Sequence, residues 1–139
     1  MKILAVDFGD ARTGIAVCDK HEMLASPVCV VFERKADECA KKVAKIISEQ
    51  KADEIIIGLP LNMDGTKGDR AKLCEDFSST LSKLTDIPIK MWDERQTTVL
   101  AHNYLNQTNT RGKKRKEIVD AVAAVIILEN YLEYRKNHS

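Results

Sequence analysis

Four carboxylates stand where the character of the surrounding sequence changes. Asp7 closes a short apolar run, Ile3 to Val6, and the nearby Gly9 would let another backbone or a phosphate come close. Asp93 and Glu94 follow Met91-Trp92 at the end of a second such run. Open α/β sheets place their ligands beyond the carboxyl ends of strands, and strand alternation turns one of two successive residues inward. Glu94 is the favoured inward acid, with Asp93 as the alternate. Asp120 lies within Ile118 to Leu128, a helical stretch apolar on all sides. Burying an ionised acid unpaired costs about several kcal/mol, so Asp120 calls for a hydrogen-bonded partner, a shifted pKa or a metal. Each acid also has a bland reading. Asp7 can be a turn acid bonding its own backbone, and Asp120 can answer a helix dipole, although that effect fades beyond the first turn.

Taken together, Asp7, Glu94 and Asp120 can converge on hard divalent cations, which take oxygen ligands. Two such ions can activate water and stabilise the leaving oxygen of a phosphodiester. The chain offers no His or Cys ligand set, since His21, His102 and His138 are scattered, so Mg²⁺ or Mn²⁺ is the natural choice. Phosphates would need neutralising. Arg111, Lys113, Lys114, Arg115 and Lys116 form a run of five basic residues without an acid, placed just ahead of the Asp120 helix. Arg12 and Arg95, each beside an acid motif, are further phosphate-facing candidates. Should the basic run prove to be a solvated loop, the stretch from Asn62 to Lys67 is the next place to seek a substrate path.

These residues must be held by elements that the sequence also outlines. Ile3 to Val6, Gly14 to Asp19 and the Val-rich Ser26 to Phe32 read as three strands, the first two a hairpin. From Asp37 to about Gln50, Cys39, Ala40, Val43, Ile46 and Ile47 fall at helical spacing. Glu54 to Ile57 is a strand buried on both faces, stopped by Gly58-Leu59-Pro60. Asp69 to Leu84 is helical through Ala71, Leu73, Cys74, Phe77, Leu81 and Leu84, and Pro88 to Trp92 is the next strand. A helix over 97 to 105, a polar loop over 106 to 114 and a last helix from about Arg115 to Tyr134 complete the chain. Strands alternating with helices require crossovers and hence parallel pairing. The expected fold is α/β: a mixed sheet of three antiparallel strands followed by parallel ones, with helices on both faces, in the ribonuclease H-like order.

Length and composition agree with one domain over residues 1 to 139. With 44% hydrophobic and 31% charged residues, the chain is of ordinary globular type. No apolar run approaches a membrane span, and the acid at position 7 arrives too early for a signal peptide, so the protein is expected in the cytoplasm. Cys18, Cys29, Cys39 and Cys74 contain no C-x-x-C pair and read as reduced, mostly buried thiols. The net charge is +1, but outside 111 to 116 there are 17 basic residues against 21 acidic ones. A mildly acidic body therefore carries one concentrated cationic segment.

The motifs in combination resemble the YqgF (RuvX) family of pre-16S rRNA nucleases and Holliday junction resolvase-like proteins. The resemblance spans nearly the whole chain. It rests on Val6-Asp7-Phe8-Gly9 with Arg12 and Gly14, on Gly58-Leu59-Pro60-Leu61-Asn62-Met63-Asp64-Gly65-Thr66, on Asp93-Glu94-Arg95 with Thr97-Thr98, and on Val119-Asp120 with Ala123-Ala124 and Ile126-Ile127-Leu128. It implies an RNase H-like nuclease whose acids match Asp7, Asp93 or Glu94, and Asp120. It further implies a metal-dependent hydrolase acting on precursor rRNA, on its own or in pre-ribosomal particles, or on branched DNA, and no membrane partner. The chain departs from the family pattern at Asp10, Thr13 and Gln96. It also has Ala121, Ala123 and Ala124 where related resolvases carry a second helical acid, which weakens the junction resolvase reading. Two other classes compete. A nucleotide-binding domain of the actin and sugar-kinase type needs two such domains around a cleft, and 139 residues supply one. A non-catalytic RNA-binding module would use the basic segment without the acids.

Overall fold

The computed structural model describes residues 1–94 and 112–138, for 112–120 the backbone alone. Arg95, Arg111, the expected 97–105 helix and the side chains of Lys113, Lys114, Arg115, Lys116 and Asp120 lie outside the described residues. Five strands, β1 (Ile3–Asp7), β2 (Arg12–Cys18), β3 (Ala25–Phe32), β4 (Glu54–Leu59) and β5 (Ile89–Asp93), form one sheet in the order β3-β2-β1-β4-β5. β1 is antiparallel to β2, as β2 is to β3, whereas β1, β4 and β5 run parallel. The carboxyl ends of the three parallel strands therefore lie along one edge.

Two layers of helix close the sheet. On one face α1 (Ala36–Gln50) and α2 (Asp69–Ser82) cover Leu4, Val6, Ile55 and Ile57 with Cys39, Val43, Ile47, Phe77 and Leu81. On the other, α3 (Gly112–His138) covers Ile3, Ala5, Ala16 and Ile56 with Ala124, Ile127, Leu128 and Tyr131. Strand alternation sorts the residues: Ile3 and Ala5 face α3, Leu4 and Val6 face α1 and α2. Burying each of the larger side chains contributes about 1.5–3 kcal/mol, so the double-sided core dominates the energetics.

A polar tie fixes α3 along the sheet. Glu54 is 6% exposed, and its carboxylate accepts a hydrogen bond from the Tyr131 hydroxyl and pairs with Lys90 Nζ at 3.5 Å. Lys90 Nζ also donates to the Tyr131 hydroxyl at 3.2 Å, and Trp92 meets Tyr131 edge-on at 5.5 Å. A buried acid is tolerable because both its oxygens are engaged. At the far end of α3, Arg135 Nε donates to Glu22 in the β2–β3 turn at 2.6 Å.

Several expected boundaries shift. β4 continues through Gly58 and Leu59, since the sheet edge pairs Leu59 with Asp93. β2 begins at Arg12, opposite Phe32. α2 ends at Ser82, and its buried stripe is Ala71, Cys74, Phe77 and Leu81; Leu73 and Leu84 lie off it, exposed. The last helix starts at Gly112 and runs to His138, so residues 112–114, expected in a loop, are helical, and Lys113 to Lys116 belong to the helix rather than preceding it. Lys and Arg are good helix formers, which a reading based on polarity alone overlooks. Cys18, Cys39 and Cys74 are buried and Cys29 partly so, all four free.

Candidate active site

β1 ends at Asp7, and its parity with Ile3 and Ala5 puts Asp7 on the α3 face. On β5 the same alternation sends Ile89 and Met91 toward α1 and α2 and Trp92 toward α3. Glu94, two residues beyond Trp92, joins Asp7. The two carboxyl groups lie within hydrogen-bonding reach of each other. Burial pushes the Glu94 carboxyl above the usual carboxylate range; the bond with Asp7 and the charge of Arg70 pull it down, and Asp93 pushes it up. Asp93 closes β5 opposite Leu59 and is partly exposed.

A glycine makes room for this pair. A Cβ on Gly58 would come within 2.4 Å of Glu94 Oε1 and 2.8 Å of Ile127 Cδ1. Glu94 therefore lies in the notch between β4 and α3. The sequence signal was the glycine directly after Ile55-Ile56-Ile57, which reads as a strand stop but serves as a seat for the acid.

Arg70, on the first turn of α2, is the second residue that linear reasoning missed. Its Nη1 donates to Asp10 at 2.6 Å, its Nη2 donates to the Phe8 carbonyl, and its guanidinium lies 5.5 Å from the centre of the Phe8 ring. Nothing in the sequence links positions 10 and 70. The β1–β2 turn that carries Asp10 is itself tight: a Cβ on Gly9 would lie 2.0 Å from the Arg12 carbonyl oxygen. Thr13, buried, accepts the Gly9 amide at 3.3 Å and the Cys39 thiol at 3.4 Å, giving this departure from the family pattern a structural role.

Arg12 is partly buried, and its Nε has no hydrogen-bond partner among the described residues. Asn62 is exposed in a turn closed by its amide on the Thr66 carbonyl (2.9 Å) and its side chain on the Thr66 hydroxyl (3.0 Å), so its polar groups serve the turn. Cys74, buried on α2, feels the charges of Glu94 and Asp7, and burial pushes its thiol up to about 11, which keeps it protonated and unsuited as a nucleophile. A cavity of about 710 Å³ between residues 21–25 and the end of α3 lies at the opposite end of the sheet from the acids.

For a divalent cation the donor chemistry fits as far as it is described. Asp7 and Glu94 offer hard oxygen ligands already drawn together, although no group of three such ligands occurs among the described residues. No described helix is long and apolar enough to cross a membrane.

Three antiparallel strands joined to two parallel ones in this order, with carboxyl groups meeting beyond β1 and β5, define an RNase H-like domain. Solved structures agree on the fold. RuvC of Thermus thermophilus, in complex with a Holliday junction substrate, matches with a TM-score of 0.65 and 11% identity over 99% of this chain and 96% of that one. The Fowlpox virus Holliday junction resolvase matches with a TM-score of 0.54 and 12% identity over all of both chains. The chain belongs to the RuvX family, whose model, described as Holliday junction resolvase, matches residues 1–134. A relative from Halothermothrix orenii named "Putative pre-16S rRNA nuclease" is 42% identical over 135 residues, covering 97% of this chain and 96% of its own. One of the same name from Clostridium novyi is 40% identical over 133 residues, covering 96% of this chain and 98% of its own.

Proposed function

We propose that this chain is a metal-dependent endonuclease that hydrolyses phosphodiester bonds of RNA, with the precursor of the small-subunit ribosomal RNA as its substrate, free or in pre-ribosomal particles, in the cytoplasm. The observation that carries the reading is the meeting of Asp7 with Glu94, whose carboxyl is seated over Gly58. Two acids held this close need a shared proton or a cation to offset their repulsion. Asp120 is the third member: position 120 on α3 precedes Ala124 by four residues and Ile127 by seven, the spacing of the stripe that covers the sheet. Asp7, Glu94 and Asp120 would hold Mg²⁺ or Mn²⁺, with Asp93 as the alternate ligand; the ions would supply Lewis-acid activation of water and of the phosphate. Arg12, Arg95, Arg111, Lys113, Lys114, Arg115 and Lys116 bind and orient the backbone. The start of α3 contains no acid in its first turn, so its basic residues and the positive end of the helix dipole act on phosphate in the same sense.

The test is Mn²⁺-dependent cleavage of a precursor rRNA fragment and of a four-way DNA junction by the purified chain. RNA cleavage is expected, with Asp120→Asn inactive at unchanged melting temperature. Cleavage of the junction alone would replace the substrate with branched DNA. Salt-sensitive RNA binding without cleavage of either would make the chain an RNA-binding assembly module.

A further inference from the structure

Arg70 is held by two unlike partners. The Phe8 carbonyl and ring belong to the strand end that carries Asp7, so this half of the contact is part of the folded frame. The other half is the Asp10 carboxylate, whose side chain is 86% exposed against 36% for Arg70. An ion pair this open to water contributes little, so its acid is readily exchanged for another anion. The guanidinium is a rigid fork of five donors suited to a phosphate, and removing the carboxylate leaves that fork aimed from the same anchored position. The charge of Arg70 reaches Glu94, so the fork lies within electrostatic range of the proposed cleavage centre.

We propose that Arg70 is a substrate-binding residue that grips a backbone phosphate next to the acids, and that Asp10 occupies the place of that phosphate when nucleic acid is absent. The inference rests on the nuclease reading and adds to it a contact with substrate. Asp10 thereby orients the guanidinium and competes with the ligand. It also answers the problem that a carboxylate at position 10 poses near phosphate, since the acid is neutralised by the cation the substrate needs.

The test is binding of a fluorescein-labelled 20-nucleotide single-stranded RNA by anisotropy, with log K followed against log salt, for the full chain and for Asp10→Asn, Arg70→Gln, Arg70→Lys and the Asp10→Asn/Arg70→Gln double variant. Asp10→Asn is expected to tighten binding about threefold or more at low salt. Arg70→Gln is expected to weaken it and flatten the salt slope by about 0.7, the value for one single-strand phosphate contact. Arg70→Lys should keep the slope but lose part of the affinity, because a point charge replaces the fork. In the double variant the gain from Asp10→Asn should disappear. A gain that persists without Arg70 would mean that Asp10 acts only through its own charge, and the inference fails while the nuclease reading stands. Absence of salt-dependent RNA binding by the unaltered chain would overturn both. Should Arg70→Gln melt below the assay temperature, Asp10→Asn and Arg70→Lys still decide: unchanged affinity in both refutes the contact.

Discussion

Replacing Gly58 by Ala perturbs the candidate site through a single methyl group. The added Cβ would stand 2.4 Å from Glu94 Oε1, 2.6 Å from Glu94 Cδ and 2.8 Å from Ile127 Cδ1. Gly65 is the described glycine with positive φ, so the Gly58 backbone accepts alanine and the conflict is one of space. Heavy atoms in ordinary contact sit about 3.5–4.0 Å apart, so the Glu94 carboxyl must recede by about 1 Å or more. Displacing a reacting constellation by about 1 Å costs on the order of 100-fold in rate. The fold should lose less. Overpacking a core costs about 1–3 kcal/mol, and the stiffer unfolded chain returns about 0.4–1 kcal/mol, leaving a net loss of about 0–2.5 kcal/mol. The assay is Mn²⁺-dependent cleavage of a precursor rRNA fragment at saturating substrate, with thermal melting alongside and Mn²⁺ affinity measured by calorimetry. Gly58→Ala should remain folded, with kcat down about 100-fold and Mn²⁺ binding weakened. Adding Glu94→Asp, which withdraws the carboxylate by one methylene, should recover part of the Mn²⁺ affinity. A folded Gly58→Ala protein with kcat within twofold of the parent would refute the argument that Glu94 needs this notch.

Gln at Lys113, Lys114 and Lys116 should weaken RNA binding at low salt irrespective of sequence and flatten the salt slope by about 0.7 per lost contact; unchanged affinity and slope would send the search for the substrate path elsewhere. The Glu22–Arg135 clamp should make the α3 end acid-sensitive. Its hydrogen bond from Arg135 holds the Glu22 carboxyl below the usual carboxylate range, so the unfolded chain binds the proton first. The clamp's contribution is therefore present above about pH 4.5, the ordinary glutamate value, and is lost as pH falls through the lowered one. Denaturant melts at pH 7 and pH 3 should show that Glu22→Gln lowers stability at pH 7 and narrows the difference between the two conditions. An equal loss at both would remove the ion pair from the account.

The elements of this protein are legible because local sequence periodicity follows the geometry of each element. Cys39, Ala40, Val43 and Ile47 can share a buried face only on a helix, and Ile55-Ile56-Ile57 are apolar in succession because both faces of a central strand are covered. That alternation of periods also implied the parallel half of the sheet, and Asp7 could be recognised as a strand-end acid. Boundaries were less legible where composition and conformation disagree, as at Lys113 and Lys114, whose polarity suggested a loop while the backbone is helical. Which of Asp93 and Glu94 turns to the α3 face follows from the register of β5 against β4 and the face on which Trp92 packs, quantities set by pairing across the chain. The notch at Gly58 depends on Ile127 crossing over it, 69 positions away in the sequence, and the Arg70–Asp10 pair joins residues 60 apart. Such contacts leave no periodic trace, because nothing in the spacing of neighbours records what the folded chain brings against them. The sequence by itself determined which residues could carry charge to one edge of the sheet; only the tertiary structure decided that Asp7 and Glu94 meet there and that Arg70 stands beside them.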